Sequence, residues 1–141
     1  MKLTSVPIGM DLFRTTKVLS QAFEARLAEV GGGLPTWLTL LSIKSQASAN
    51  QRELADMIGI QGATLTHHLN AMEKQGLLTR RRDPANRRVH RVELTDAGEA
   101  LFLRLRDVAV GFDKQLRAGI PDDRIAQVAA TLATFRANVG D

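Results

Sequence analysis

Asn50-Gln51-Arg52-Glu53-Leu54-Ala55-Asp56-Met57-Ile58-Gly59-Ile60, Gln61-Gly62-Ala63-Thr64-Leu65-Thr66-His67-His68-Leu69-Asn70-Ala71-Met72-Glu73-Lys74 and Leu77-Leu78-Thr79-Arg80-Arg81-Arg82-Asp83-Pro84-Ala85-Asn86-Arg87-Arg88-Val89-His90-Arg91-Val92-Glu93-Leu94-Thr95 are the segments whose reading decides the fold. They read as helix, tight turn, helix, then a two-stranded ribbon with a basic tip. In the first, Asn50 and Glu53 have capping-box spacing, and Leu54 and Ile58 at i and i+4 give one apolar face. Small Ala55 lets a second helix cross closely, and Gly59 supplies the positive φ with which a chain often leaves a helix.

In the second helix Leu65, Leu69 and Met72 fall on one face by the 3.6 period. Ala63, Thr64, His67, Asn70 and Lys74 lie opposite, flanked by Thr66 and His68. That outward face is short, polar and almost uncharged until Lys74. It suits hydrogen bonding to base edges, and taken alone it equally suits an ordinary solvated helix.

The ribbon separates the two readings. Gly76 closes the helix, Leu77 to Arg82 and Val89 to Leu94 are strand-length runs, and Asp83-Pro84-Ala85-Asn86 is turn chemistry. Residues 61–95 hold seven Lys/Arg and three acids, a net +4 that equals the charge of the whole chain. Outside that window bases and acids balance at twelve each. An excess confined to one helix and its neighbouring loop is the electrostatic footprint of nucleic-acid binding, whereas a surface that is merely solvated scatters it.

These segments resemble the winged helix-turn-helix of the MarR/SlyA family of bacterial transcription regulators. Ala55, Gly59 and Leu65 match its small residue, turn glycine and buried aliphatic. Gly76-Leu77-Leu78-Thr79-Arg80 is similar to the Gly-Leu-x-x-Arg that begins the wing. Asn86-Arg87-Arg88 through Leu94-Thr95 is similar to the wing written Asp-x-Arg-x5-Leu-Thr. One position departs from the pattern, because Asn86 stands where the family has Asp. The flanking helices extend the resemblance over nearly the full length.

At 141 residues the chain is one domain by length, long enough for a true core. No cysteine is present, which excludes disulfides and thiolate metal sites. Met1 to Met10 does not read as a signal peptide, and no stretch approaches the ~20 apolar residues of a membrane span. A cytoplasmic protein is expected. Residues 8–30 read as a long helix with Ile8, Leu12, Phe13, Leu19, Phe23, Leu27 and Val30 at near-heptad spacing, widened by Val18 and Ala22. So broad a stripe calls for more partner surface than one small domain offers.

Gly31-Gly32-Gly33 stops that helix. It is a linker rather than a phosphate loop, since no Gly-Lys-Ser/Thr follows. Pro35 suits the first turn of the next helix, in which Leu38, Leu41 and Ile43 are expected to face inward. Trp37 is either a core anchor or one wall of a ligand cavity. After Thr95, which caps with help from Glu99, Leu101, Phe102, Leu105, Val108, Ala109, Phe112 and Leu116 form a second stripe over 96–119. Pro121-Asp122-Asp123 begins a last helix over 121–139 with acids at the positive end of its dipole. Its stripe is Ile125, Val128, Ala129, Leu132, Phe135 and Val139.

Catalysis finds no support. His67, His68 and His90 are not in ligand spacing with carboxylates, and helix neighbours such as His67 and His68 point in different directions. No Ser-His-Asp order favours a triad, and Asp122-Asp123 is helix-start chemistry. No metal or cofactor is expected.

The fold expected is mainly α with a small β-ribbon: a single domain over 1–141, with a winged helix-turn-helix lobe over 34–95 and dimerisation helices over 1–33 and 96–141. Gln61, Ala63, Thr64, Thr66, His67, Asn70, Lys74, Arg80, Arg82, Arg87 and Arg88 are the candidate DNA contacts. The resemblance further implies a homodimeric regulator of transcription, expected as a repressor that reads a pseudo-palindromic operator. It places Arg88 in the minor groove, and it implies an aromatic effector, for which Phe13 and Trp37 are the candidate contacts. The competing reading is a winged-helix protein–protein interaction module that does not bind DNA. Arg80 to Arg82 and Arg87 to Arg88 argue against it, because protein interfaces favour aromatics and an apolar centre.

Overall fold

The computed structural model describes residues 5–45, 55, 59–85 and 90–140. Among these the order is α1 (Ile8–Glu29), α2 (Leu34–Ser45), α3 (Gly62–Lys74), β1 (Leu78–Arg82), β2 (His90–Leu94), α4 (Asp96–Arg117) and α5 (Asp122–Asn138). The Asn50–Glu53 capping box and the Leu54/Ile58 face lie outside the described residues. Two compact units are present, residues 1–108 and residues 109–141, the boundary falling within α4.

The core belongs to the first unit. Leu27 of α1, Leu40 of α2, Leu65 and Leu69 of α3 and Leu105 of α4 expose no surface, and Met72, Leu78, Val92 and Leu101 expose almost none. The α3 stripe therefore faces inward as its period requires. Ala55 is helical and buried, and its carbonyl accepts from the amides of Gly59 and Ile60 at 2.9 and 3.2 Å. That turn is closed by Gly59 at φ 77°.

The phase of α2 differs from the sequence reading. Leu41 is exposed and Leu38 half-buried, while Trp37, Leu40 and Ile43 make the inner face. The run Leu38-Thr39-Leu40-Leu41-Ser42-Ile43 is apolar almost all round, so its period selects no face and tertiary packing decides. Thr39 is fully buried, its hydroxyl satisfied by donating to the Pro35 carbonyl at 2.7 Å. The N-terminus of α2 is held by Glu24 of α1, whose carboxylate accepts from the Leu34 amide at 3.1 Å.

At the end of α3 the chain turns through Gly76 at φ 74°, a conformation that costs a residue with a Cβ about 1–2 kcal/mol. The Gly76 amide donates to Glu73 and the Leu77 amide to Met72, both at 3.0 Å, satisfying two carbonyls the helix leaves open. The strands pair antiparallel with Leu78 opposite Leu94, Arg80 opposite Val92 and Arg82 opposite His90. Leu78 and Val92 are buried, so Arg80 shares the inner face with them. Thr79, Arg81, Arg91 and Glu93 occupy the other face.

Thr95 fastens the ribbon to α4. Its amide donates to the Leu77 carbonyl at 3.1 Å, and its hydroxyl donates to the Gly76 carbonyl at 2.5 Å and accepts from the Gly98 amide at 3.1 Å. Thr95 is thus the N-cap that the sequence indicated. Glu99 takes a different role, reaching across to Lys44 of α2 at 3.0 Å. It stands one residue beyond the position from which a capping-box carboxylate folds back.

In the second unit no residue of α5 is buried. Ile125 and Phe135 are half-buried, and Val128 and Leu132 are exposed.

A Cβ on Gly98 would lie 1.9 Å from the Leu77 carbonyl oxygen, a backbone atom that cannot yield without opening the Thr95 bonds. Gly98→Ala is therefore expected to lower the unfolding free energy by at least the ~1–3 kcal/mol typical of overpacking. Thr95→Ala should cost about 1 kcal/mol through the lost cap. Urea denaturation checks both, and equal stability of Gly98→Ala and the parent would refute the close approach.

Candidate nucleic-acid interface

The outer face of α3 carries the sequence-selected side chains. Gln61, Ala63, Thr64, His67, Asn70 and Lys74 are all exposed, on the side opposite Leu65, Leu69 and Met72. Gln61 is the N-cap residue but makes no side-chain capping bond. Its backbone carbonyl accepts from the Leu65 amide at 3.1 Å, and its amide side chain stands at the helix start. Thr66 is only half-buried, and its hydroxyl donates to the Gly62 carbonyl at 2.9 Å, which spends its donor within the helix. Thr64 has the more accessible hydroxyl. The His67 and His68 rings lie 6.0 Å apart with planes tilted by 56°. Among the described residues no three His, Asp or Glu side chains gather as a metal site would require.

On the ribbon, Arg82 is exposed at the end of β1, whereas Arg80 is largely covered. Arg80 Nε donates to Glu73 at 2.8 Å and its Nη2 donates to Asn70 Oδ1, so this arginine is bound to α3 rather than extended from the wing. Period-two alternation from buried Leu78 accounts for it, because the same step that turns Arg80 inward turns Arg81 outward. Arg81 and Arg91 are exposed cations absent from the candidate set, and that alternation is the signal for Arg81.

Arg81 pairs in register with Arg91, so two like charges stand directly opposite on the outer face, an arrangement that is unfavourable on its own. Arg91 is relieved by Asp83 at 3.3 Å, while among the described residues no acid pairs with Arg81. Asp83 also accepts from the Ala85 amide at 2.9 Å, the Asx turn that starts the wing tip. Asn86, Arg87 and Arg88 lie outside the described residues.

The two candidate effector contacts differ sharply. Trp37 is 8% exposed and stacks on Phe102, with ring centroids 5.7 Å apart and planes 18° apart. Lys44 Nζ lies 5.6 Å from the Phe102 centroid, at the outer limit of a cation–π contact. Phe13 is 78% exposed on α1. Trp37 is therefore a core residue, and Phe13 is open surface. A shallow groove on α1 is lined by Ser20, Gln21, Glu24, Ala25 and Ala28. No helix among the described residues is long and apolar enough to cross a membrane.

Comparison with known proteins places this geometry. Residues 34–90 match the sequence model of the MarR family. The fold is similar to that of the transcriptional repressor CouR bound to a 23-mer DNA duplex, with 28% identity over 92% of both chains and a TM-score of 0.84. It is similar also to CouR of Rhodococcus jostii RHA1 bound to p-coumaroyl-CoA, with 25% identity, 96% and 95% coverage and a TM-score of 0.82. The regulator MOSR of M. tuberculosis in complex with DNA matches at 26% identity, covering 96% of this chain and 100% of its own, with a TM-score of 0.73.

Removing the indole in Trp37→Ala should cost about 3–5 kcal/mol of stability, as for a buried aromatic. In a double-mutant cycle with Phe102→Ala, the stacked pair should show a coupling of roughly 0.5–1.5 kcal/mol. Denaturant titration of the four proteins measures it, and a coupling near zero would remove Trp37 from the core.

Proposed function

We propose that the chain is a winged helix-turn-helix transcriptional regulator of the MarR/SlyA family, a homodimeric repressor that reads a pseudo-palindromic operator and leaves it when an aromatic effector binds. DNA-binding regulation, not catalysis, is the business of this family. The observation that carries the finer reading is the outer face of α3. Its exposed groups are hydrogen-bonding and nearly uncharged, and the ribbon that follows supplies the cations. Uncharged donors and acceptors read bases, and arginines position the protein on phosphates.

Dimerisation is supported by apolar surface. Ile8, Phe13 and Val18 of α1, Leu103, Val110 and Leu116 of α4, and Val128 and Leu132 of α5 are all exposed. That is more apolar surface than a monomer ordinarily leaves in water. The helices over 1–33 and 96–141 are accordingly assigned to an isologous two-fold interface, and the lobe over 34–95 to DNA. Two copies of α3 then stand about 34–36 Å apart or a multiple of it, and read an inverted repeat.

The effector reading is supported by CouR, which has been seen both on DNA and with an aromatic acyl thioester. A ligand changes DNA affinity only by favouring one arrangement of the dimer over another. In that scheme Phe13 is the candidate contact on α1, and Trp37 senses the change through its contact with Phe102.

Within the wing, Arg88 is assigned to the minor groove, where narrow A·T-rich segments attract arginine. Asn86 has a hydrogen-bonding oxygen but not the charge of the family's Asp. Arg88→Ala should weaken all duplexes by a similar factor and reduce the salt dependence by about one phosphate. His67→Ala should cost roughly 1–3 kcal/mol on the operator and little on scrambled DNA. Titrating operator and scrambled duplex at several salt concentrations tests both, once selection of bound genomic fragments has supplied the operator. Loss of neither affinity in Arg88→Ala would take the wing off the DNA.

Sedimentation should give a dimer at micromolar concentration, and a monomer there would end the two-fold reading. An aromatic carboxylate or its thioester should change Trp37 emission and weaken operator binding together. A panel that moves neither signal would leave a constitutive DNA binder.

A further inference from the structure

Three side chains join the reading helix to the ribbon. Asn70 and Glu73 stand three residues apart on α3, hence on one side of it. Arg80, on the inner face of β1 beside buried Leu78, reaches both. Its Nε donates to Glu73 Oε2 at 2.8 Å, and its Nη2 donates to Asn70 Oδ1. Arg80 is the least exposed of the three, with 21% of its side chain accessible against 43% for Glu73, while Asn70 is exposed. One planar guanidinium thus fixes two groups at once, which a lysine's single ammonium on a flexible stem does not reproduce.

The consequence lies in what Asn70 has left to offer. An Asn that pairs with adenine uses both ends of its amide, accepting from N6–H2 with the oxygen while donating to N7. Here the oxygen is engaged by a cation. That cation also repels a donor brought alongside, so adenine's amino group meets an unfavourable field. Turning the amide over gives no escape, because it would set Nδ2–H against the guanidinium N–H. The outward-facing capacity of Asn70 is therefore its two Nδ2–H donors, and the edge that matches them is rich in acceptors. Guanine, with N7 and O6 side by side, is that edge in the major groove.

We propose that Arg80 is a positioning residue that holds Asn70 as a donor and so sets a preference for guanine over adenine at one position of each half-site. The proposal rests on the assignment of α3 to the major groove, and it departs from the expectation that Arg80 itself touches DNA. A mere brace between helix and ribbon predicts something else. Exposed ion pairs contribute little stability, and losing one would weaken all sequences alike.

The test is selection from a randomised duplex library by the full-length protein and its Asn70→Ala, Asn70→Asp and Arg80→Met variants, with the melting temperature of each recorded. The position that loses its preference in Asn70→Ala identifies the base that Asn70 reads. At that position the parent should favour guanine over adenine by roughly tenfold or more, the size of one good polar contact. Arg80→Met should cut that ratio by about tenfold or reverse it toward adenine, since the freed oxygen can now accept. Preferences elsewhere in the site should stay unchanged. Asn70→Asp keeps the oxygen for Arg80 but has no donor, and should lose the guanine preference while folding normally. It carries the test if Arg80→Met does not fold.

A parent that prefers adenine at that position overturns the proposal. So does an Arg80→Met protein that binds every duplex more weakly with its base preferences intact. Either result leaves α3 as the reader. Selection of no sequence at all by the parent would instead bring down the DNA-reading assignment, and this inference with it.

Discussion

The carbonyl of Leu77 is the point through which the winged-helix lobe is assembled. It accepts from the Thr95 amide, and the Cα of Gly98 packs against it so closely that a methyl group has no room. The Thr95 hydroxyl adds bonds to the Gly76 carbonyl on one side and the Gly98 amide on the other. Three events of the chain are thereby made one: the end of α3, the closing of the ribbon and the start of α4. The contacts ask for a hydroxyl at Thr95 and no side chain at Gly98, and otherwise run between backbone groups. The outer residues of α3 and the ribbon are therefore free to be chosen for recognition. Moving the first turn of α4 must carry Leu77 with it or break these bonds.

Much of this was legible in the sequence, and the places where it was not have physical reasons. The inward stripe of α3 was clear because Leu65, Leu69 and Met72 alternate with polar residues at helical spacing. The glycine at 76 marked its own turn, since the chain leaves the helix there at positive φ. In α2 the same reasoning misplaced Leu41, because six successive residues are apolar or small and no face is distinguished. Charge and the Gly-Leu-x-x-Arg likeness make Arg80 a candidate DNA contact, whereas in the structure its guanidinium is engaged by Asn70 and Glu73. Its strand position beside buried Leu78 outranks its charge, and alternation along the strand would have assigned Arg81 to solvent in its place. The link from Arg80 to Asn70 and Glu73 spans the turn at Gly76 and depends on the crossing of helix and ribbon. No local pattern specifies that.

Charge within the ribbon bears on what the lobe is for. Arg81 faces Arg91 in register, and of the two only Arg91 is ion-paired, with Asp83, among the described residues. A fold optimised for itself would place opposite charges on that rung, where a cross-strand pair is worth up to about 1 kcal/mol. The unfavourable pairing is understandable if a polyanion supplies the missing negative charge. Affinity for a phosphate backbone comes largely from releasing its counterions, and each uncompensated arginine adds to it.

A protein partner would ask for a different surface. Interfaces between proteins concentrate aromatic side chains at a desolvated centre and exclude charge from it. The exposed positions of α3 and β1 carry Thr, His, Asn, Lys and Arg and no Phe, Trp or Tyr. Among the described residues the exposed large apolar side chains are found instead on or next to α1, α4 and α5, apart from Leu41 on α2. Polar and apolar exposed side chains are thus divided between different elements. That division is what a protein needs if it is to join a second copy of itself through one set of helices while leaving another for the groove of a duplex.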